Sequence, residues 1–220
     1  VQNVTFPAFS KIRDDLPKLT ESYRQVVMIV AYVMFPVMLG LSAVAHDLFA
    51  VLLSEEWMPT VPYFEVVCLA GLFSPVAVIS MNILKARSAG PIIVRLEILK
   101  KVVMTVIFAV TIPHGVMAVV WGLVAIAACE MGINFVSTLR FTDLTIGCFL
   151  RTLLPVALLA AGMWLVVRGV GSLIPGSDIL RLLAELVVGF VFYVGGSALL
   201  RFEAFREVCD ILKKQIAHKS

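Results

Sequence analysis

The stretch PIIVRLEILKKVV, residues 91–103, places four charged side chains, Arg95, Glu97, Lys100 and Lys101, in an otherwise apolar run. Charges this close to a bilayer face a water-filled cavity, pair with one another, or reach back to the headgroups. Glu97 and Lys101 are four residues apart, the spacing of an ion pair along a helix. Arg95 is two residues from Glu97 and points elsewhere. Arg95 and Lys101, with Arg87 nearby, can therefore supply positive potential at the mouth of a cavity, where cationic side chains attract and orient an anionic headgroup. The same residues also serve as basic anchors at a membrane edge, and Lys100 reads as an anchor that snorkels.

A second polar pair, Glu130 and Asn134, shares one helix face in an apolar segment. Lipid exposure of that face is costly, so it looks inward or approaches the interface. A coupling-ion or proton site and an interhelical hydrogen bond are both compatible with it. Gly115, Gly122 and Gly132 read as small residues that let helices approach closely. No catalytic constellation accompanies these groups. His46, His114 and His218 are scattered, and neither H-E-x-x-H nor a P-loop occurs. The reading is of a non-enzyme without cofactor or metal, and nothing points to nucleic acid. Cys68, Cys129, Cys148 and Cys209 form no C-x-x-C pair, and most lie in apolar runs, as buried reduced thiols do.

The elements that must carry these residues are membrane helices. Hydrophobic residues make up 60% of the 220 positions and charged ones 15%, with a mean hydropathy of +1.00. Soluble domains have about 45–50% apolar and ~25% charged residues. At about 20 apolar residues per crossing, six spans follow: Val26–Ala45, Tyr63–Leu84, Pro91–Ile112, Gly115–Val136, Thr145–Val167 and Leu180–Leu200. Pro36 reads as a kink whose freed carbonyl a neighbouring helix re-satisfies. Lys11, Arg13, Lys18 and Arg24 precede the first span; Lys85, Arg87 and Arg95 follow the second; Arg140 and Arg151 follow the fourth; Arg201, Arg206, Lys213 and Lys214 follow the sixth. The alternate loops are poor in positive charge, so the positive-inside rule puts both ends of the chain in the cytoplasm. Asp47–Trp57 reads as a short helix on the outer surface, and residues 201–220 as an amphipathic cytoplasmic helix.

The fold class is therefore all-α, a polytopic membrane bundle. Residues 1–24 form the end of a preceding helix and a basic loop; 25–139, four bundle helices; 140–200, two peripheral spans; 201–220, the tail. The opening FPAFSKIRDD reads as the cytoplasmic exit of a helix whose body lies upstream.

Several stretches in order carry a resemblance: FPAFSKIRDD, LTESYRQVV and FPVMLGLSAVA, then LLSEEWMPTVPYFEVVCLAGLFSPV, NILKARSAGPIIVRLEILKKVV and HGVMAVVWGLVAIAACE. The chain resembles the Wzx-type oligosaccharide flippases, the lipopolysaccharide and colanic-acid branch of the multidrug/oligosaccharidyl-lipid/polysaccharide exporter superfamily. It departs from the family pattern at Ser54, where glycine is usual, and at Glu56, where lysine is usual, and it keeps Trp57.

The resemblance implies the C-terminal half of a two-bundle, fourteen-helix transporter in the bacterial inner membrane. That transporter would flip polyprenyl-pyrophosphate-linked oligosaccharides by alternating access. The implied partners are the lipid-linked oligosaccharide, membrane lipids, a polysaccharide polymerase and glycosyltransferases. Arg95, Lys101, Arg87, Glu130 and Asn134 then become candidate cavity residues. A drug/cation antiporter of the same superfamily, and a membrane-embedded glycan polymerase or acyltransferase, are the alternatives.

Overall fold

The computed structural model describes residues 9, 10, 12, 14–87, 90–174 and 177–199. The amphipathic helix expected over 201–220 and most of the opening stretch lie outside them. Within them the chain is helical: α1 Leu16–Ala43, α2 Ala45–Leu52, α3 Val61–Arg87, α4 Gly90–Thr111, α5 Val116–Thr138, α6 Ile146–Leu173 and α7 Asp178–Leu199, with short 3-10 turns at Glu55–Thr60 and Ile112–His114. All six expected spans form helices. Five of them (α1, α5, α6, α7 and α3 with its preceding turn) are long and apolar enough to cross a membrane. α4 has the length of a span, at 22 residues, but Arg95, Glu97, Lys100 and Lys101 all fall in it. The third of the six expected spans is half charged in the sequence; by length and apolarity five of the described helices qualify, and the charged α4 is the one that does not.

Local chemistry sets the ends of these helices. The Asp15 side chain caps α1 by accepting from the Lys18 amide at 3.2 Å, and Pro17 in the first turn has no N–H to leave unpaired. Thr145 caps α6 by accepting from the Cys148 amide at 3.3 Å. The α4–α5 turn passes through Gly115 at φ +91°, a conformation that glycine adopts without strain. Asp47–Trp57, expected as a short helix, is helical in two pieces, α2 and the turn from Glu55, with Trp57 exposed and Asp47 buried.

The helices pack in the spatial order α4, α5, α3, α1, α6, α7, and α2 lies against the start of α7. α1 is central. Its Leu19, Tyr23, Val27 and Ala31 recur every fourth residue and are fully buried, so one stripe of the helix faces its neighbours. Large apolar side chains such as Leu158, Leu165, Val187 and Phe190 lie on the outside, as surfaces in contact with acyl chains require. Cys68 is buried, but Cys129 and Cys148 are on this outer surface, which corrects the expectation that the thiols are buried. Close approach does not depend on every glycine named above. A Cβ at Gly122 would meet Thr111 at 3.1 Å, whereas nothing lies within 4 Å of one at Gly115 or Gly132.

Three prolines sit inside helices, at Pro36, Pro75 and Pro155. Each removes the N–H that would bond the carbonyl four residues earlier. Pro36 frees the carbonyl of Tyr32, and Tyr193 Oη on α7 donates to that oxygen at 2.7 Å. A phenol from a peripheral helix thus completes the hydrogen bonding of the central one. Tyr193→Phe is expected to destabilise the protein by about 1–3 kcal/mol, the cost of a buried polar group left unmade. In a Pro36→Ala background, where the backbone N–H returns, the same change should cost much less. Thermal unfolding of the four proteins of this cycle measures the coupling.

Candidate functional site

α4 and α5 are antiparallel neighbours joined by a tight turn, so their far ends lie side by side. Between those ends runs a cavity of about 640 Å³ lined by Ile92, Arg95, Leu96 and Leu99 of α4 and by Gly132, Ile133, Val136, Ser137, Arg140 and Phe141 of α5 and the residues after it. Its lining is apolar apart from two guanidinium groups and one hydroxyl. Arg95 and Arg140 are both exposed, and neither makes an ion pair with a described residue. The Ser137 hydroxyl donates to Ile133 O at 2.7 Å. An open groove with two unneutralised arginines is suited to an anion, because each guanidinium can present a pair of N–H donors to oxyanion oxygens.

The sequence-derived candidates do not converge on one site. Arg95 lines this groove. Lys101 instead lies with Glu97 along a separate groove of about 530 Å³ on α4, together with Ile93, Val94, Ile98 and Val102. The ion pair expected between Glu97 and Lys101 is not formed: Glu97 pairs with Lys100, whose side chain is buried. Spacings of three and four both bring side chains together on a helix. Lys100 is the residue turned into the packed side, so it takes the carboxylate. Lys100 is therefore not a snorkelling anchor. Arg87 is half-buried in the last turn of α3, where a cation meets the negative end of the helix dipole. It does not line the α4–α5 groove.

Asn134 is turned inward and Glu130 only half so. Asn134 Nδ2 donates to Ala77 O of α3 at 3.0 Å, which is the interhelical bond weighed from the sequence. It belongs to a polar seam across three helices. Thr138 Oγ1 reaches Ser80 O at 3.2 Å and Asn134 O at 2.9 Å. Ser80 donates its hydroxyl proton to Val76 O at 2.9 Å, so the 2.6 Å contact with Tyr23 is made by the phenol donating to Ser80. Tyr23, Ser80 and Thr138 are fully buried. The seam holds α1, α3 and α5 in register at the end of the bundle where α1 begins, and thereby fixes the end of α5 from which the turn carrying Arg140 departs.

Sequence reasoning had not placed Arg140 at the site. It stood there as one basic residue among those following the fourth span. The signal that could have found it is the short connection Pro113–His114, which forces α4 and α5 antiparallel and brings their far ends together.

Comparisons with known proteins bear on this architecture. A model of the family described as polysaccharide biosynthesis protein matches residues 1–62. A lipopolysaccharide biosynthesis protein, WzxC, of Escherichia coli K12 is 29% identical over 100 residues, 46% of this chain and 20% of that protein. The resemblance to Wzx-type proteins holds. A membrane protein in the cps region of Klebsiella pneumoniae, itself uncharacterised, is 28% identical to this Wzx-like chain over 141 residues, 64% of the chain and 29% of that relative. The chain thus spans less than a third of the curated relatives it matches. No solved structure matches it. It is a multi-pass membrane protein similar to a bacterial protein of lipopolysaccharide biosynthesis and to a membrane protein of a cps region.

Proposed function

We propose that this chain is part of a flippase that moves polyprenyl-pyrophosphate-linked oligosaccharide units across the bacterial inner membrane by alternating access. It would supply most of the second bundle, α1 and α3–α5, and two peripheral helices, α6 and α7. The observation that carries the reading is the α4–α5 groove, where Arg95 and Arg140, without an ion-pair partner among the described residues, stand over an apolar floor. A diphosphate joining a sugar to a long isoprenoid combines those two chemistries: an anion for the guanidinium groups and a hydrocarbon for the apolar walls. The similarity to WzxC supports the same class of substrate. A polymerase and glycosyltransferases that consume and supply the unit are the partners such a step needs.

Complementation tests the reading. In cells lacking their own flippase, the full-length protein should restore surface polysaccharide, while residues 1–220 expressed alone should not, because a two-bundle transporter needs both halves to close its cavity. Surface polysaccharide restored by residues 1–220 alone would overturn the two-bundle architecture. Failure of the full-length protein, with its lipid-linked substrate present, would overturn the transport function.

The orientation belongs to the same proposal. The helix ends and turns carrying Lys85, Arg140 and Arg151 would face the cytoplasm, and Glu55 and Trp57 the outside. Single cysteines at Glu55 and Lys85 in a background without other cysteines should label with an impermeant reagent from outside at Glu55 only. Labelling at Lys85 would reverse the topology.

A further inference from the structure

α4 stands at the edge of the row of helices, packed on α5 and touching α3 only slightly. Its Ile107 and Thr111 meet Gly122 of α5. Turned away from them, Val94, Ile98, Lys101 and Thr105 recur at spacings of four, three and four. At about 3.6 residues per turn, those four side chains share one stripe of the helix. All four are exposed, Val94 and Ile98 at 57% and 59%. They line the groove of about 530 Å³ that also holds Val102 and Val106. Ile92, Leu96 and Leu99, which line the arginine groove, lie on another side of α4.

Lys101 makes this face unsuited to lipid. α4 has 22 residues and runs antiparallel to α5, a helix of 23 residues that is long and apolar enough to cross a membrane. From Lys101 to Thr111 is about 15 Å along the helix at ~1.5 Å per residue, half of a hydrocarbon core of about 30 Å. An ammonium at that depth needs an anion or water. Glu97, one turn away, pairs with Lys100, and Lys101 forms no ion pair with a described residue. A water-filled cavity would need water-binding groups along its wall. Here Val94, Ile98, Val102 and Val106 surround a single cation, and Thr105 already donates its hydroxyl proton to Lys101 O at 2.9 Å.

The alternation of four and three is the seam that one helix offers another in left-handed packing. A lone polar residue in such a seam selects the partner and its register. We propose that this seam docks a transmembrane helix from the part of the protein that precedes residue 1, and that this helix carries an aspartate or glutamate level with Lys101. The inference rests on the two-bundle reading above. The chain covers less than a third of each curated relative it matches, which leaves ample length for such a helix. Apolar side chains of the incoming helix cover Val94 and Ile98, and its carboxylate receives the Lys101 ammonium. The ion pair then sets the height of α4 against its neighbour.

Photo-crosslinking of the full-length protein in membranes tests the docking. A benzophenone amino acid in place of Ile98 should join α4 to a segment upstream of residue 1 in the same molecule, as mass spectrometry of the linked peptides would show. Lys101→Glu should abolish that product. Exchanging the upstream acidic residue for lysine in the Lys101→Glu protein should restore it. Absence of an upstream product, whether light yields lipid adducts, dimers or links within residues 1–220, would overturn the proposal. So would ready labelling of Ile98→Cys by a water-soluble maleimide in a background without other cysteines, which would mark a cavity wall. An upstream product that survives Lys101→Glu would refute the acidic partner. None of these readouts needs transport. An upstream crosslink in a protein that fails to restore surface polysaccharide would overturn the flippase reading and leave the docking intact.

Discussion

Arg95→Ala in the full-length protein is expected to cut polysaccharide export roughly tenfold to hundredfold, the equivalent of about 1.5–3 kcal/mol for a hydrogen bond to a charged group. Membrane levels should be unchanged, since Arg95 is exposed and pairs with no described residue. Arg140→Ala should show a similar loss, because both guanidinium groups face one groove. The double variant should fall short of the product of the two losses if they grip the same anion. Arg95→Lys should keep part of the activity, as the charge remains and the planar fork is lost. Lys85→Ala, an exposed cation outside the groove, serves as the control. Export by Arg95→Ala equal to wild type at matched protein level would return Arg95 to the basic anchors.

Arg181→Ala is expected to be the most destabilising of the charge substitutions. Asp47 is nearly inaccessible, and Arg181 is its partner on α7. Removing one member of a buried ion pair costs about 3–5 kcal/mol because the other charge is left uncompensated. The Arg181 side chain retains 25% exposure, so about 3 kcal/mol, the low end of that range, applies here. The measurement is the unfolding midpoint of the detergent-solubilised protein, with Arg181→Lys recovering part of the loss. An unchanged midpoint would mean that water reaches Asp47 and that the pair contributes little. The comparison with Arg168 is informative. Arg168 pairs with Glu65 at 3.0 Å, but both side chains are substantially exposed, and Arg168→Ala should cost well under 1 kcal/mol by the same reasoning.

The helices were legible in the sequence because runs of uncharged residues leave a bilayer-crossing chain few alternatives. Even the role of Pro36 could be anticipated, although the donor, Tyr193, lies 161 residues away and no pattern in the sequence points to it. Short-range pairing was less legible. Glu97 has a lysine at both spacings, and only the packing of α4 against α5 decides that Lys100 turns inward. Asp47 shows the same limit at longer range. In the sequence it belongs to an acidic surface helix, and its burial follows from the docking of α7, 134 residues on. The candidate site divided along similar lines. Arg95 was found from its lack of a local partner, whereas Arg140 needed the third dimension. Asn134 was recognisable as an inward polar group from the cost of exposing it to lipid.

The seam formed by Tyr23, Ser80, Thr138 and Asn134 has a mechanical corollary. Among the described residues, the bonds from Tyr23 to Ser80, Asn134 to Ala77 and Thr138 to Ser80 gather near one end of α1, α3 and α5. Toward the other end α1 and α3 meet through contacts such as Met38 against Gly71, where a Cβ would overlap the thioether. Directional bonds resist sliding and rotation, while packed methyl and thioether groups can slip past one another. The helices therefore resemble levers with a shared fulcrum at the seam. α1 has 28 residues, which at about 1.5 Å per residue makes a lever roughly 40 Å long. From Tyr23 at the seam to Ala43 is roughly 30 Å, so a tilt of roughly 10° carries that end about 5 Å, close to the ~5.4 Å of one helical turn. Small angular play at the fulcrum is thus amplified into a displacement at the far ends of α1 and α3.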